Sequence, residues 1–375
     1  MHPRGSNMKS DRFGLEIPTR IVLRGTNWVG DTIISLPAAR EMRRIFPSST
    51  LSFWGPEGLT GLVKTAGIAD EIISFDGSHG GPTRRAFGMS RRLAAEHFDL
   101  AVLFQNAFES AFTAWLARVP LRAGYATDMR GPLLNVKVPL QPEIKTVHQV
   151  YYYLALTDHL EERFYDRAST RTGVPDCSIL LTGDILKRAR DLMVAQGIRT
   201  DRPIFVLCPG SVNSEAKRWP TDYFAHLADL LAERMDGEIV FLGAPGEADL
   251  IEEVRGLMRN PRAANLAGKA DMVSSMAVMN LSRTVISNDT GSAHLAAAAT
   301  ARVLTIFGPT SAGATAPFSP RAHVIEGSAP CAPCRHYRCP EPDHPCMRSI
   351  EPESVLREVQ AILAGERGPS LPVAP

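Results

Sequence analysis

The 375-residue sequence contains no G-x-G-x-x-G fingerprint and no G-x-x-x-x-G-K-[ST] loop. Rossmann-type hydride transfer and P-loop hydrolysis are therefore unsupported from the start. Neither sign of charge is in excess: the formal net charge is +1. Bulk electrostatics thus gives no case for nucleic acid or an acidic membrane as the main partner. No apolar run approaches the roughly 20 residues that span a bilayer. The opening stretch, MHPRGSNMKSDRFGLEIPTR, lacks the apolar centre of a secretory signal and reads as a disordered tail. A cytoplasmic protein is expected. Cysteine is sparse, six in all, and in that compartment thiols or metal ligands are expected rather than disulfides. No short-period repeat is present, and no Asp-x-Asp metal motif is evident.

What is present is an alternation of strand-like and helical patterns in a chain of ordinary globular composition, 44% hydrophobic and 22% charged. The length favours two domains. RIVLRG (20–25), TLSFWGP (50–56), EIISFD (71–76), LAVLFQN (100–106) and LRAGYAT (121–127) read as strands separated by helices at about 32–46, 57–67 and beyond. HQVYYYLALTDHL (148–160) reads as a further helix and 161–182 as a linker. The alternation restarts at PIFVLCPGS (203–211). Its next helix takes Thr221 as N-cap, and it runs on through EIVFLGAPGEADL, TVISNDTGSAHLAAAA and RVLTIFGPT. The class is α/β, with mostly parallel sheets covered on both faces. The expected limits are a tail 1–19, domains 20–180 and 181–350, a closing helix 351–364 and a tail 365–375.

In such sheets ligands sit at the carboxyl ends of strands, so the loops after strands carry the chemistry. Three are informative. In NWVGD, Asp31 stands where a helix begins. It has two readings, an N-cap or a positioned general base for a hydroxyl, and the helix terminus weakens it as a base. Gly30 permits close approach to the backbone. In CPGSVNSEAKRWP, Ser211, local N–H groups and Lys217 suit a pyrophosphate. The alternative makes Lys217 and Arg218 solvated charges. In SNDTGSAHLAAAA, the N–H groups of Thr290 and Gly291 at a helix N-terminus suit phosphate. Asp289 suits sugar hydroxyls there. His294 is either one turn into the same face or a packed core histidine.

Together, NWVGDTIISLPAAREMRRIFP, CPGSVNSEAKRWP and SNDTGSAHLAAAA with VLTIFGPTS resemble glycosyltransferase family 9, the ADP-heptose:lipopolysaccharide heptosyltransferases, over about residues 20–360. The resemblance implies the GT-B fold: two Rossmann-like domains facing across a cleft, the first binding the acceptor and the second the nucleotide sugar. The last helix, PESVLREVQAIL, is then expected to cross back to the first domain. It also implies inverting transfer from ADP-heptose to a heptose or Kdo of the lipopolysaccharide inner core, without an essential cofactor. Asp31 is then the base and Lys217 the cation that neutralises the leaving diphosphate. Ser211, Glu247, Asp289, Thr290, Gly291 and His294 are donor contacts. A monomer at the cytoplasmic face of the inner membrane is expected, with no nucleic-acid partner. The rival enzyme is a GT-B nucleotide-sugar epimerase or another sugar transferase with a different donor, and a non-catalytic nucleotide- or sugar-binding module is the rival from another class.

Two features stand apart. PCAPCRHYRCPEPDHPCM places Cys331, Cys334, Cys339 and Cys346 at spacings that suit either a structural zinc or a loop of reduced thiols. TRRAFGMSRRLAAEHF carries Arg84, Arg85, Arg91 and Arg92, either a solvated face or a surface for acceptor phosphates.

Overall fold

The computed structural model describes residues 17–76, 82–167, 173–212, 214–260 and 263–370. They divide into two compact units. The first comprises the described residues up to Asn27 together with Ser35–Pro175. The second comprises Trp28–Ile34 and the chain from Asp176 onward.

The first unit holds β1 (Arg20–Arg24), β2 (Thr50–Pro56), β3 (Glu71–Phe75), β4 (Leu100–Leu103), β5 (Leu121–Tyr125) and β6 (Val136–Val138). They form one sheet in the order β3-β2-β1-β4-β5-β6, with every pairing parallel. The interior of β1, Ile21, Val22 and Leu23, and all of β4 are apolar and covered on both faces, which is why they read as unbroken runs and not as alternation. The sequence pattern suggested one helix at 32–46. The structure has two, Val29–Ile34 and Leu36–Ile45, parted at Ser35. Pro37 is the reason: it has no N–H to continue the first ladder but suits the first turn of a new helix. The 148–160 helix extends over Gln149–Tyr165, into the expected linker. Its Glu161 is fully buried and accepts from Arg44 Nη1 at 3.0 Å and Arg167 Nε at 2.9 Å.

The second unit holds β7 (Ile204–Cys208), β8 (Glu238–Phe241), β9 (Ala263–Asn265), β10 (Thr284–Asn288), β11 (Val303–Phe307) and β12 (Ala322–Glu326). The order β12-β11-β10-β7-β8-β9, again all parallel, is the first sheet's order when read from the β9 end, with each strand replaced by its counterpart. Both are the doubly wound 3-2-1-4-5-6 arrangement, whose direction reverses beside the first strand. The helix Thr221–Arg234 starts at Thr221 and takes Pro220, not Thr221, as its cap; Thr221 Oγ1 instead donates to Glu253 Oε1 at 2.9 Å. Pro220, with φ −54° and ψ 142°, turns the chain into the helix one residue earlier. The closing helix Pro352–Ala364 buries Val355, Leu356, Val359 and Ile362 in this unit's own core, with Phe224 and Trp219.

Candidate active site

The second sheet reverses between β7 and β10, and the loops leaving those two strands meet there. Asn288, the last residue of β10, is completely buried and ties them together. Its Oδ1 accepts from the Trp219 backbone N–H at 3.0 Å, and its Nδ2 donates to the Pro209 carbonyl at 2.8 Å. Trp219 is itself anchored, with its indole N–H on the Ile350 carbonyl at 2.9 Å and its ring edge-on to Phe224. The loop between these anchors presents Lys217 in the short 3₁₀ turn Glu215–Lys217.

Lys217 Nζ lies 2.6 Å from Asp289 Oδ2. The same oxygen accepts from Thr310 Oγ1, on the loop after β11, at 2.7 Å. Asp289 is 5% exposed and the Lys217 side chain about a quarter exposed. The carboxylate thus holds a partly accessible ammonium in place instead of being spread over solvent. Sequence reasoning gave Lys217 and Asp289 separate ligands and missed their pairing. Thr310 it did not single out, and Asn288 it placed at the strand end without a role; the Thr in FGPT and the Asn in SNDTG were the available signals.

Asp289 and Thr290 lead into the helix Gly291–Ala298. Thr290 is its cap residue, in extended conformation and without a side-chain cap bond. Orphan N–H groups at such a terminus, with the positive end of the helix dipole, suit an anion. The helix Val29–Ile34 packs on this one. A Cβ on Gly291 would meet Val29 Cβ at 3.0 Å, and one on Gly30 would meet His294 Cδ2 at 2.8 Å. What approaches the Gly30 backbone is therefore the buried His294 ring. Asp31, the third residue of the Val29–Ile34 helix, is half-buried inside its first turn and not at the cap position.

Ser211 is buried, and its carbonyl accepts from Arg218 Nη2 at 3.1 Å, so Arg218 folds back on the loop. Glu247 lies against the same turn. A Cβ on Gly210 would fall 2.0 Å from Glu247 Oε1, and Glu247 Oε2 accepts from the Ala244 N–H at 2.8 Å. Neighbouring Cys208 is buried, which pushes its thiol up to about 12; Glu247 adds to the shift and a hydrogen bond with Ser292 opposes it.

All six cysteines are free thiols. The 331–346 loop is held by backbone contacts: Arg335 N–H to the Pro309 carbonyl at 2.8 Å, Ala216 N–H to the Tyr337 carbonyl at 3.0 Å, and His344 Nε2 at 2.7 Å from the Ala216 carbonyl. It thereby braces the turn that carries Lys217. Burial pushes the Cys346 thiol up, and the nearby thiols of Cys339, Cys331 and Cys334 push it further. Cys331 is exposed. Among the described residues no three His, Cys, Asp or Glu side chains are placed to hold a metal ion.

Of the basic segment, Arg84 has its side chain outside the described residues. Arg92 Nη1 donates to the Ser74 carbonyl at 2.8 Å, and Arg85 Nε lies 3.8 Å from Glu109. Arg85 and Arg92 are thus engaged with the first unit rather than forming a wholly solvated face.

Two doubly wound sheets, with a lysine, a carboxylate and a helix N-terminus at the second reversal, define a doubly wound α/β protein with a place for an anion at a switch point. The model of glycosyltransferase family 9 (heptosyltransferase) matches residues 86–344, and the chain belongs to that family. It is 27% identical over 356 residues to lipopolysaccharide heptosyltransferase 2 of Escherichia coli (strain K12), covering 92% of this chain and 99% of that protein. It is also 27% identical over 365 residues to lipooligosaccharide heptosyltransferase 2 of Haemophilus ducreyi, with 92% and 99% covered. Among solved structures, E. coli ADP-heptose lps heptosyltransferase II superposes with a TM-score of 0.78 at 23% identity over 92% of this chain and 99% of that one. The fold expected from the sequence, α/β with two parallel sheets of GT-B type, is the one present.

Proposed function

We propose that this glycosyltransferase moves a heptose from ADP-heptose to the inner core of lipopolysaccharide, onto a heptose or Kdo, with inversion at the anomeric carbon. The family match and the heptosyltransferase 2 relatives support that reading. The single observation that carries it to the residues is the Lys217–Asp289–Thr310 cluster beside the Thr290–Gly291 helix terminus.

The acceptor hydroxyl attacks the anomeric carbon, and the bond from that carbon to the diphosphate oxygen breaks. The electron pair leaves on ADP. The Lys217 ammonium and the N–H groups of Thr290 and Gly291 meet that growing negative charge, so they bind the transition state better than the ground state. Asp289 keeps the ammonium in position, and no cofactor is needed for the step. Asp31 accepts the proton of the attacking hydroxyl. A hydroxyl that loses its proton late needs only a weak base well placed. Ser211, Glu247 and His294 shape the donor side, the first unit receives the acceptor, and the enzyme works as a monomer at the cytoplasmic face of the inner membrane.

The test is transfer itself. Purified protein is incubated with ADP-heptose and defined inner-core acceptors, and mass spectrometry is expected to show the acceptor heavier by one heptose. Transfer from a UDP-sugar, or ADP-heptose left intact with every acceptor, would overturn the reading.

A further inference from the structure

The chemistry above leaves a pocket of the first unit unused. It has a volume of about 100 Å³ and lies at the carboxyl ends of β1, β2 and β3, with the start of the Phe108–Leu116 helix closing one side. Arg24, Trp54, Phe75, Arg85 and Glu109 supply its chemistry.

Arg24 ends β1 and is only 4% exposed. Its guanidinium lies 5.0 Å from the centroid of the Trp54 ring and 5.1 Å from that of Phe75. Nη1 donates to the Gly25 carbonyl, and Nη2 donates to Asn27 Oδ1 at 2.7 Å. Nε is buried without a hydrogen-bond partner, and so is the indole N–H of Trp54, a residue 3% exposed. Two orphan donors in the wall of one pocket are unusual, because native proteins pair nearly all buried polar groups. Arg85 adds a second cation, and Glu109 is the single carboxylate among the lining residues. Burial pulls the Arg24 guanidinium down to about 9, with Glu109 opposing the shift. The cation is thus short of counter-charge where it stands. Aromatic rings and the hydroxyl residues Ser110 and Thr113 complete a lining of the kind that holds a polar ring with one charged substituent.

We propose that this pocket binds an oxyanion carried on a sugar, a carboxylate or a phosphate ester, with Arg24 Nε, the Trp54 N–H and Arg85 as its donors. Resting on the transferase reading, this makes it the site that recognises the acidic substituent of the acceptor.

The experiment is calorimetric titration of the full chain with glucuronate, mannose 6-phosphate and neutral mannose, alongside a separate titration with ADP. Both acids or one of them bind at millimolar concentration and mannose does not; the tighter of the two tells carboxylate from phosphate. Trp54→Phe keeps the ring and removes the N–H, and Arg85→Gln removes the second cation without touching the buried Arg24. Each weakens the acid by roughly tenfold, the worth of one hydrogen bond to a charged acceptor, and each leaves ADP binding unchanged. The proposal is overturned if no acid binds, if mannose binds as well as the acids, or if both variants bind the acids like the parent. ADP binding in the same protein keeps the two readings apart: acids without ADP would remove the transferase and keep the pocket, and ADP without acids the reverse.

Discussion

The two sheets have the same strand order, yet their reversal points hold opposite electrostatic arrangements. In the second, the cation is already paired: Lys217 sits on Asp289, and Thr310 shares the same oxygen. In the first, Arg24 is deeper, is flanked by aromatic rings, and keeps a donor unmatched. The paired lysine is partly exposed and held ready; the buried arginine depends on something else to complete it. Topology therefore says where a ligand goes, and the loop residues decide what charge it brings.

The largest expected effect comes from emptying the paired point. Lys217→Ala lowers turnover by about 10²–10³, the usual cost of losing one preorganised stabiliser of a leaving charge, with a smaller rise in donor KM. Lys217→Arg restores only part, because a planar fork does not reproduce a point charge. Steady-state kinetics at saturating acceptor makes the distinction. A variant that raises only KM would make Lys217 a uniform binding contact and pass leaving-group stabilisation to the Gly291–Ala298 helix terminus. Asp31→Asn is next: turnover falls by about 100-fold while ADP affinity holds. Near-normal turnover would reduce Asp31 to a stabiliser of the Val29–Ile34 helix.

A smaller effect should be confined to the first unit. Arg44, followed by Arg167, holds the Glu161 carboxyl below its ordinary range. A carboxylate lowered on folding contributes stability that is complete above its unfolded value, about 4.3. That contribution is lost as pH falls through the folded value. Glu161→Gln therefore costs about 2 kcal/mol near neutrality, a buried pair discounted for the partly exposed arginines, and flattens the acid limb of a Tm-against-pH curve. Hydrogen exchange locates the loss in the helices Leu36–Ile45 and Gln149–Tyr165. Equal loosening of β7–β12 would break the picture of two separate cores. The smallest effect is expected from chelation. Untagged protein carries well under one zinc per chain and keeps its Tm in EDTA, since backbone hydrogen bonds hold the 331–346 loop. One zinc per chain by metal analysis would show that the thiols close up.

Much of this was legible in the sequence because buried parallel strands announce themselves as apolar runs, and because the loops after them carry unusual residue pairs. What escaped has physical reasons. β6 and β9 are too short to carry a periodic signal, and β12 ends in partly exposed residues. The helix Gly183–Ala195 does carry helical spacing, with Ala189 and Met193 buried on one face, and was legible but not read. Ser35 divides what looks like one amphipathic helix. An arginine at a strand end, such as Arg24, reads as solvated; only the assembled sheet shows Trp54 and Phe75 closing over it. The pairing of Lys217 with Asp289 joins residues far apart in sequence, which no local pattern reports.

The contact between Gly210 and Glu247 has a consequence for how the chain can change with time. A side chain at 210 would take the space of the Glu247 carboxylate, the mobile end of a long side chain. A Gly210→Ala change therefore asks that carboxylate to swing aside and give up the Ala244 N–H. Shortening residue 247 beforehand removes that cost. The coupling favours, without dictating, linked replacement at the two positions in a family tree.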